Sequence, residues 1–97
     1  MRIYVIGPVS GKKNRNREEF ERARKLLEKR GYQVEIPHDS IPPDTSWIDA
    51  MVLSCENLRH ADGVAKLNGW RASAGARIED KLARKLGIPC KFVGRWR

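Results

Sequence analysis

The sequence is poor in cysteine and has no long hydrophobic run. Cys55 and Cys90 are its two cysteines, and neither belongs to a CxxC pair or to a Cys/His spacing typical of a metal site. No segment approaches the roughly 18 apolar residues of a membrane helix, and the strand-like RIYVIG follows Met1 where a signal peptide would stand. We therefore expect a reduced, cytoplasmic protein with two buried thiols, no metal site and no membrane partner.

Negative charge is also in short supply. Twenty Lys and Arg stand against twelve Asp and Glu, which gives a net charge of +8. Such an excess favours anionic partners, phosphate above all. The positive charge is spread along the chain, from KKNRNR to the terminal RWR, and this pattern is more typical of a solvated surface than of a nucleic-acid stripe. Nucleic acid is therefore a partner that the charge pattern allows but does not favour.

The length of the chain limits its core. At 97 residues we expect one domain over residues 1–97, with a single core that has little apolar surface to spare. Pairing of two copies would bury more of that surface. The length therefore favours a homodimer.

Hydrophobic periodicity and turn signals predict alternating strands and helices. Strands are predicted over residues 2–6, 32–36, 63–67 and 88–93, and helices over residues 17–30, 47–59 and 73–86. Ser46 and Ser73 are suitable N-caps. The inward face of the second helix is expected to carry Ile48, Met51, Val52, Cys55 and Leu58. This order predicts an α/β fold, with a parallel sheet and helices on both faces.

The loop after the first strand suits an anion. In open parallel sheets ligands bind beyond the carboxyl ends of the strands. The segment there is GPVSGKKN followed by Arg15, and it lies ahead of a helix N-terminus, which favours an anion. It contains two glycines, one hydroxyl group and three cations, namely Gly7, Gly11, Ser10, Lys12, Lys13 and Arg15. The loop matches neither GxxxxGK[ST] nor GxGxxG. Its pattern fits a phosphate site and an ordinary tight turn equally well.

The segment GWRASAGARIED places a carboxylate in an apolar stripe. On the third predicted helix, Glu79 shares a face with Gly75, Leu82, Ala83 and Leu86. The glycine lowers helix stability by about 1 kcal/mol relative to alanine, which calls for a local reason. A carboxylate in an apolar cleft has a raised pKa, as a catalytic glutamate often does. The spacing is equally compatible with an ion pair to an arginine or a hydrogen bond to a loop amide.

Taken together, these motifs resemble a known family. The order of IYVIGPVSG, NREEF, Trp47 with Met51, CENLRHADGVAKLNGW and S-x-G-A-x-x-E is similar to that of small uncharacterised domains related to nucleoside 2-deoxyribosyltransferases and deoxynucleoside 5'-monophosphate N-glycosidases. The resemblance covers nearly the whole chain. It implies a flavodoxin-like three-layer sandwich with a parallel sheet of four to five strands. It also implies cleavage of the N-glycosidic bond of a 2'-deoxynucleoside or its monophosphate, without a cofactor or metal.

The resemblance assigns roles to individual residues. Glu79 would be the nucleophile that attacks the anomeric carbon and forms a covalent deoxyribosyl-enzyme, with Tyr4 beside it as a second catalytic residue. Ser73 matches a serine that helps to hold the 5'-phosphate in the monophosphate-cleaving branch. Trp70 either stacks on a base or covers the core beside the cleft. The substrate-binding residues implied are Gly7, Pro8, Ser10, Gly11, Asn16, Gly69, Trp70, Ser73 and Gly75.

One position departs from the family pattern. Relatives commonly carry an aspartate in the middle of the second helix, where it can serve the leaving base as an acid, whereas this sequence has Ser54. A serine hydroxyl cannot replace a carboxylic acid in proton transfer near neutral pH, and Glu56 would point to a different face. Proton transfer would then depend on His38, Asp39 or a neighbouring subunit.

The favoured function is hydrolysis of the N-glycosidic bond of a nucleotide or phosphorylated nucleoside, ahead of transfer to a second base. Ser54 keeps a second hypothesis open, that of a nucleotide-binding module with weak catalysis. The basic composition keeps a third, a nucleic-acid-associated protein whose cleft is vestigial.

Overall fold

Four parallel strands form the centre of the protein. The computed structural model describes residues 1–97, and the strands are β1 (Arg2–Ile6), β2 (Gln33–Glu35), β3 (Gly63–Lys66) and β4 (Cys90–Phe92). Their order in the sheet is β2-β1-β3-β4 and every neighbouring pair is parallel. The predicted α/β fold with a parallel sheet is confirmed, although β2 and β4 are shorter than predicted.

Three helices connect the strands. They are α1 (Arg17–Lys29), α2 (Trp47–Leu58) and α3 (Ala74–Lys85). Both predicted N-caps are present, because the Ser46 hydroxyl accepts the amide of Asp49 and the Ser73 hydroxyl accepts the amide of Ala76, each at 3.1 Å. None of the three helices could span a membrane.

The helices cover both faces of the sheet. Successive residues of β1 point to opposite faces. Val5 packs in a core cluster with Phe20 and Leu27 of α1, whereas Tyr4 packs in a second cluster with Leu58 and Ala83 on the α2 and α3 side. The result is the three-layer arrangement that the family resemblance implied.

The predicted inward face of α2 is wrong in part. Ile48 and Val52 are 69% and 63% exposed, and the buried residues of the helix are Ser54 and Leu58. The helix carries apolar residues around more than half of its circumference, and the sheet covers only the side that holds Ser54. Leu86 at the end of the α3 stripe is exposed as well.

The two thiols are also less enclosed than predicted. Cys55 and Cys90 are both half-buried and free. Cys90 donates a hydrogen bond to Asp80 at 3.2 Å. Burial, followed by Asp80, raises the pKa of this thiol to about 12. The thiol therefore stays protonated at neutral pH.

The basic C-terminus contributes a core residue. Trp96 is buried, and its indole N–H donates to the carbonyl of Val64 at 3.0 Å. Its ring occupies the space above Gly63, where a Cβ atom would lie 2.3 Å from the ring. Tyr32 meets the same ring edge-on, with centroids 5.8 Å apart. The tail therefore closes one side of the core in addition to carrying charge.

Candidate active site

A cleft of about 210 Å³ opens beyond the carboxyl end of β1. Its walls come from the loop after β1, from residues 37–51 after β2, and from the first turns of α3, with Ser54 of α2 between them. This is the edge at which parallel sheets bind ligands. The volume lies below the roughly 300 Å³ at which pockets for drug-sized ligands begin, so the enclosed part suits a small group such as a sugar.

A line of hydroxyl groups leads from the core to Glu79. The carboxylate is 6% exposed, and its hydrogen-bond partner is the hydroxyl of Ser54. The Ser54 oxygen also lies 2.6 Å from the hydroxyl of Tyr4. Because Ser54 has one proton and donates it to the carboxylate, Tyr4 must donate to Ser54. Tyr4 thus reaches Glu79 only through Ser54.

Burial perturbs both ends of this line. It raises the pKa of Glu79 to about 7, and the Ser54 hydrogen bond opposes the shift in part. Burial and the charge of Glu79 also raise the pKa of Tyr4. No Lys or Arg pairs with Glu79, so the ion pair that the spacing allowed is not formed. At neutral pH the carboxyl group is present in both protonation states.

The N-terminus of α3 forms the wall beside Glu79. The backbone amides of Ala74 and Gly75 have no backbone acceptor, and free amides at a helix start favour an anion. Gly75 also packs closely against α2, because a Cβ at this position would lie 2.9 Å from the sulfur of Met51, whose flexible side chain would have to shift. The contact with α2 supplies the local reason for this glycine.

The loop after β1 forms the opposite wall and has an unusual backbone. Asn14, Arg15 and Asn16 have φ angles of 52°, 54° and 59°, in the left-handed region that non-glycine residues rarely adopt. Two hydrogen bonds of 3.0 Å hold the loop, from the Arg15 guanidinium to the Ile41 carbonyl and from the Asn16 amide to the Pro8 carbonyl. These contacts compensate the local strain.

His38 and Asp39 are committed to other partners. His38 Nε2 lies 2.8 Å from the carbonyl of Arg15 and therefore carries the proton. Burial lowers the pKa of this imidazole, so it is neutral at pH 7. Burial opposes ionisation of Asp39, but hydrogen bonds from Arg24 and from the Ile36 amide hold its pKa below the usual value. Asp39 does not line the cleft.

The predicted site residues divide into three groups. Glu79 lines the cleft together with Gly7, Ser10, Ser73 and Gly75. Tyr4 is fully buried behind Ser54. The cleft lining does not include Pro8, Gly11, Asn16, Gly69 or Trp70. The roles assigned to all these residues stay predictions.

The residues outside the lining have visible local roles. Asn16 braces the loop through Pro8, and Gly11 and Gly69 adopt positive φ angles of 75° and 83° that suit turns. Trp70 is buried, with the ammonium of Lys66 4.3 Å from its ring centre. Both roles left open for Trp70, stacking on a base and covering the core, stay predictions.

The predicted site residues include none from the wall that follows β2, although the loop after the second predicted strand was expected at the edge where ligands bind. Thr45, Trp47, Ala50 and Met51 line the cleft, together with apolar residues of the preceding loop, Pro37, Ile41, Pro42 and Pro43. The position of this segment in the chain was the one indication that it lines the cleft, because it follows the carboxyl end of a parallel strand. The structure brings together no group of three or more His, Cys, Asp or Glu side chains that could hold a metal ion.

Comparison with known proteins places this geometry in context. A family model described as a domain of unknown function, DUF4406, matches residues 1–92. No curated protein matches the sequence. The matches to solved structures below share 17–21% of their residues with the chain, a level at which the likeness is one of fold.

Two of these structures are described as 2-deoxyribosyltransferases. The one from Bacillus psychrosaccharolyticus has a TM-score of 0.71 at 17% identity and is matched over 93% of this chain and 69% of its own. The one from Leishmania mexicana has a TM-score of 0.73 at 21% identity, over 94% and 63%. A conserved protein from Enterococcus faecalis V583 has a TM-score of 0.67 at 21% identity, over 92% and 60%. The chain thus spans under two thirds of the length of the last two. The predicted likeness to the fold of 2-deoxyribosyltransferases is confirmed.

Proposed function

The chain belongs to the family of the domain of unknown function DUF4406. We propose that residues 1–97 form one nucleoside 2-deoxyribosyltransferase-like domain, and that this domain cleaves an N-glycosidic bond. The substrate is a deoxynucleoside monophosphate or a related nucleotide, and water is favoured over a second base as the acceptor. The observation that carries the proposal is Glu79, a buried carboxylate that lines the cleft, has no cationic partner and keeps one hydroxyl donor.

The proposed reaction has two steps at Glu79. A carboxylate oxygen forms a bond to the anomeric carbon as the bond from that carbon to the base nitrogen breaks, and the electron pair leaves with the base. A water oxygen then bonds to the anomeric carbon as the bond from that carbon to Glu79 breaks, which restores the carboxylate and releases one proton to the solvent. The free amides of Ala74 and Gly75, with the Ser73 hydroxyl, form a site suited to the 5'-phosphate.

Chromatography for free base tests this function. Incubated with each of the four deoxynucleoside monophosphates, the protein should release the base and deoxyribose 5-phosphate from at least one. Glu79→Gln, which keeps the shape of the side chain, should reduce the rate by about 1,000-fold or more because the nucleophile is lost. Undiminished release by the variant would contradict the proposal.

Other outcomes would support the alternative functions. A nucleotide that raises the melting temperature without being consumed would indicate a binding module. An affinity for DNA that falls steeply with salt would instead indicate a nucleic-acid-associated protein.

The pH dependence should report on Ser54. Because the nucleophile must be ionised, kcat/KM should rise with pH and level off above about 7, the pKa of Glu79. Ser54→Ala removes the donor that favours the ionised form, so the rise should move to higher pH by about one unit. Tyr4→Phe keeps the Ser54 donor and should move it less. An unchanged profile for Ser54→Ala would show that the hydrogen bond does not act on the nucleophile.

We also propose that two copies pair through an apolar face of α2 and α3. This face contains Trp47, Ile48, Met51, Val52, Cys55, Ile78, Leu82 and Leu86. Five of them are large hydrophobic side chains between 46% and 69% exposed, which is typical of an interaction surface. The charges at its edge, Glu56 and Arg59, cancel. The face therefore adds no net charge to the repulsion between two copies of a chain with a charge of +8.

Sedimentation experiments on single variants test the pairing. The unmodified protein should sediment as a dimer, and Ile48→Glu should shift it to a monomer because a charge would be buried at the interface. Leu26→Glu is the matched control, since Leu26 is exposed on α1, on the opposite face of the sheet. A monomeric unmodified protein, or a dimer that survives Ile48→Glu, would exclude this interface.

A further inference from the structure

The proposed reaction leaves open how the departing base obtains a proton. Three residues that line the cleft are ionisable, namely Arg15, His38 and Glu79. Arginine holds its protons too tightly to act as an acid near neutral pH. Glu79 must be ionised to act as the nucleophile. His38 is neutral, and its one N–H is already donated to the carbonyl of Arg15.

The hydroxyl groups next to Glu79 are committed as well. The proton of Ser54 is donated to the carboxylate, and that of Tyr4 to Ser54. Tyr4 is fully buried behind Ser54. Asp39, the remaining candidate near the loop, is bound to Arg24 and is kept ionised. Every ionisable residue that lines the cleft, and each hydroxyl next to Glu79, therefore has another role or is held in a form that cannot donate.

From this arrangement we infer the class of substrate: a nucleotide whose base departs without taking up a proton. The inference rests on the function proposed above and narrows it. Purine nucleotides alkylated at N7 are the clearest members, because their base is a cation before cleavage and a neutral molecule afterwards. In the first step the Glu79 oxygen bonds to the anomeric carbon, and the electron pair of the broken bond neutralises the ring cation. No proton donor is needed.

The aromatic residue of the cleft fits such a base. Trp47 lines the cleft and also belongs to the apolar face proposed for pairing. Tryptophan is the side chain that attracts cations most strongly through its face. Pro42 and Pro43 lie in the same wall and add an apolar surface. A cationic purine would thus find an aromatic side chain and the charge of Glu79 in the walls of the same cleft.

Two matched pairs of substrates test the inference. The first compares deoxyguanosine monophosphate with its N7-methyl derivative at a pH near 6, where the methylated base is cationic. The second compares thymidine monophosphate with 5-bromodeoxyuridine monophosphate, since bromine and methyl have nearly the same size but bromouracil is the better leaving group. The measurement is kcat/KM for release of free base. Parallel reactions with Glu79→Gln give the spontaneous rate to be subtracted.

The expected ratios are large. The N7-methyl substrate should react about 100-fold faster than its parent, and the bromo substrate about 10-fold faster than thymidine monophosphate, because a reaction without an acid depends strongly on the leaving group. If a pair of substrates reacts but the ratio of their kcat/KM values is near one, the inference is wrong and the glycosidase function still holds. Release of no base from any of the four substrates would overturn the inference, and the glycosidase function falls with it if deoxyadenosine and deoxycytidine monophosphates are also left intact.

Discussion

Glu79→Gln is expected to stabilise the protein at pH 8 while it abolishes base release. In the unfolded chain the carboxyl loses its proton near pH 4.5, whereas burial delays this loss to about pH 7 in the folded protein. Between these values the folded state binds more protons, so the free energy of unfolding falls as pH rises. The destabilisation of the folded protein by the ionised Glu79 carboxylate is complete above about pH 7. At about 1.36 kcal/mol per pKa unit, it amounts to about 3 kcal/mol.

Urea unfolding at pH 5 and pH 8 measures this effect. Glutamine carries no charge, so the variant should lack the contribution of Glu79 to the loss of stability between these pH values. At pH 8 it should therefore exceed the unmodified protein by up to about 3 kcal/mol. A variant that is equally stable or less stable at pH 8 would mean that the ionised carboxylate is not strained by burial.

The neighbouring carboxylate provides a control of opposite sign. Burial opposes ionisation of Asp80, but hydrogen bonds from Cys90, Lys66 and Arg84 outweigh it and hold its pKa below the usual value. Its ionised form therefore stabilises the fold at pH 8, and this contribution is lost as pH falls through the folded-state pKa. Asp80→Asn should lower the stability at pH 8. Replacing the carboxyl group by an amide should therefore raise the free energy of unfolding at pH 8 for Glu79 and lower it for Asp80.

Trp96→Ala is expected to destabilise the protein by about 3–5 kcal/mol, the range for removing a large buried aromatic side chain. The ring fills the space above Gly63, and its N–H satisfies the carbonyl of Val64. The Arg30 guanidinium also donates to the carbonyl of Trp96. Removal leaves a cavity at the edge of the core and takes from the Val64 carbonyl its hydrogen bond to the indole.

Circular dichroism in urea follows this loss without relying on tryptophan fluorescence. The exposed neighbour Arg95 provides the control, since Arg95→Ala should change the stability by less than about 0.5 kcal/mol. A loss below about 1 kcal/mol for Trp96→Ala would show that the tail is dispensable for the core. Trp96 lies beyond residues 1–92, which the family model matches.

Local signals in the sequence were sufficient to predict the strands and helices of the fold. Ser46 and Ser73 are helix caps, β1 has its predicted bounds, and the alternation of strands and helices gives the parallel sheet. The face of α2 could not be predicted in the same way. Periodicity places Ile48 and Val52 on an apolar face, but it cannot tell whether the sheet or a second molecule covers that face.

The site was harder to predict than the fold because its contacts are distant along the chain. Ser54 lies 25 residues before Glu79 and 50 residues after Tyr4. Sequence reasoning identified Ser54 as a missing acid, and the structure adds that its hydroxyl orients the carboxylate. The wall that contains Trp47 depends on how the loop after β2 folds back over the sheet, which no local pattern encodes.

Trapping the glycosyl-enzyme tests the central claim most directly. A nucleoside monophosphate with fluorine at C2' of the sugar should form the ester and release it slowly, because fluorine destabilises the positive charge that develops at the anomeric carbon. Mass spectrometry of the intact protein and of its peptides then locates the added sugar phosphate. We expect one adduct per chain, on Glu79, and none on Glu79→Gln. An adduct on another residue, or base release from this analogue without any adduct, would contradict Glu79 as the nucleophile.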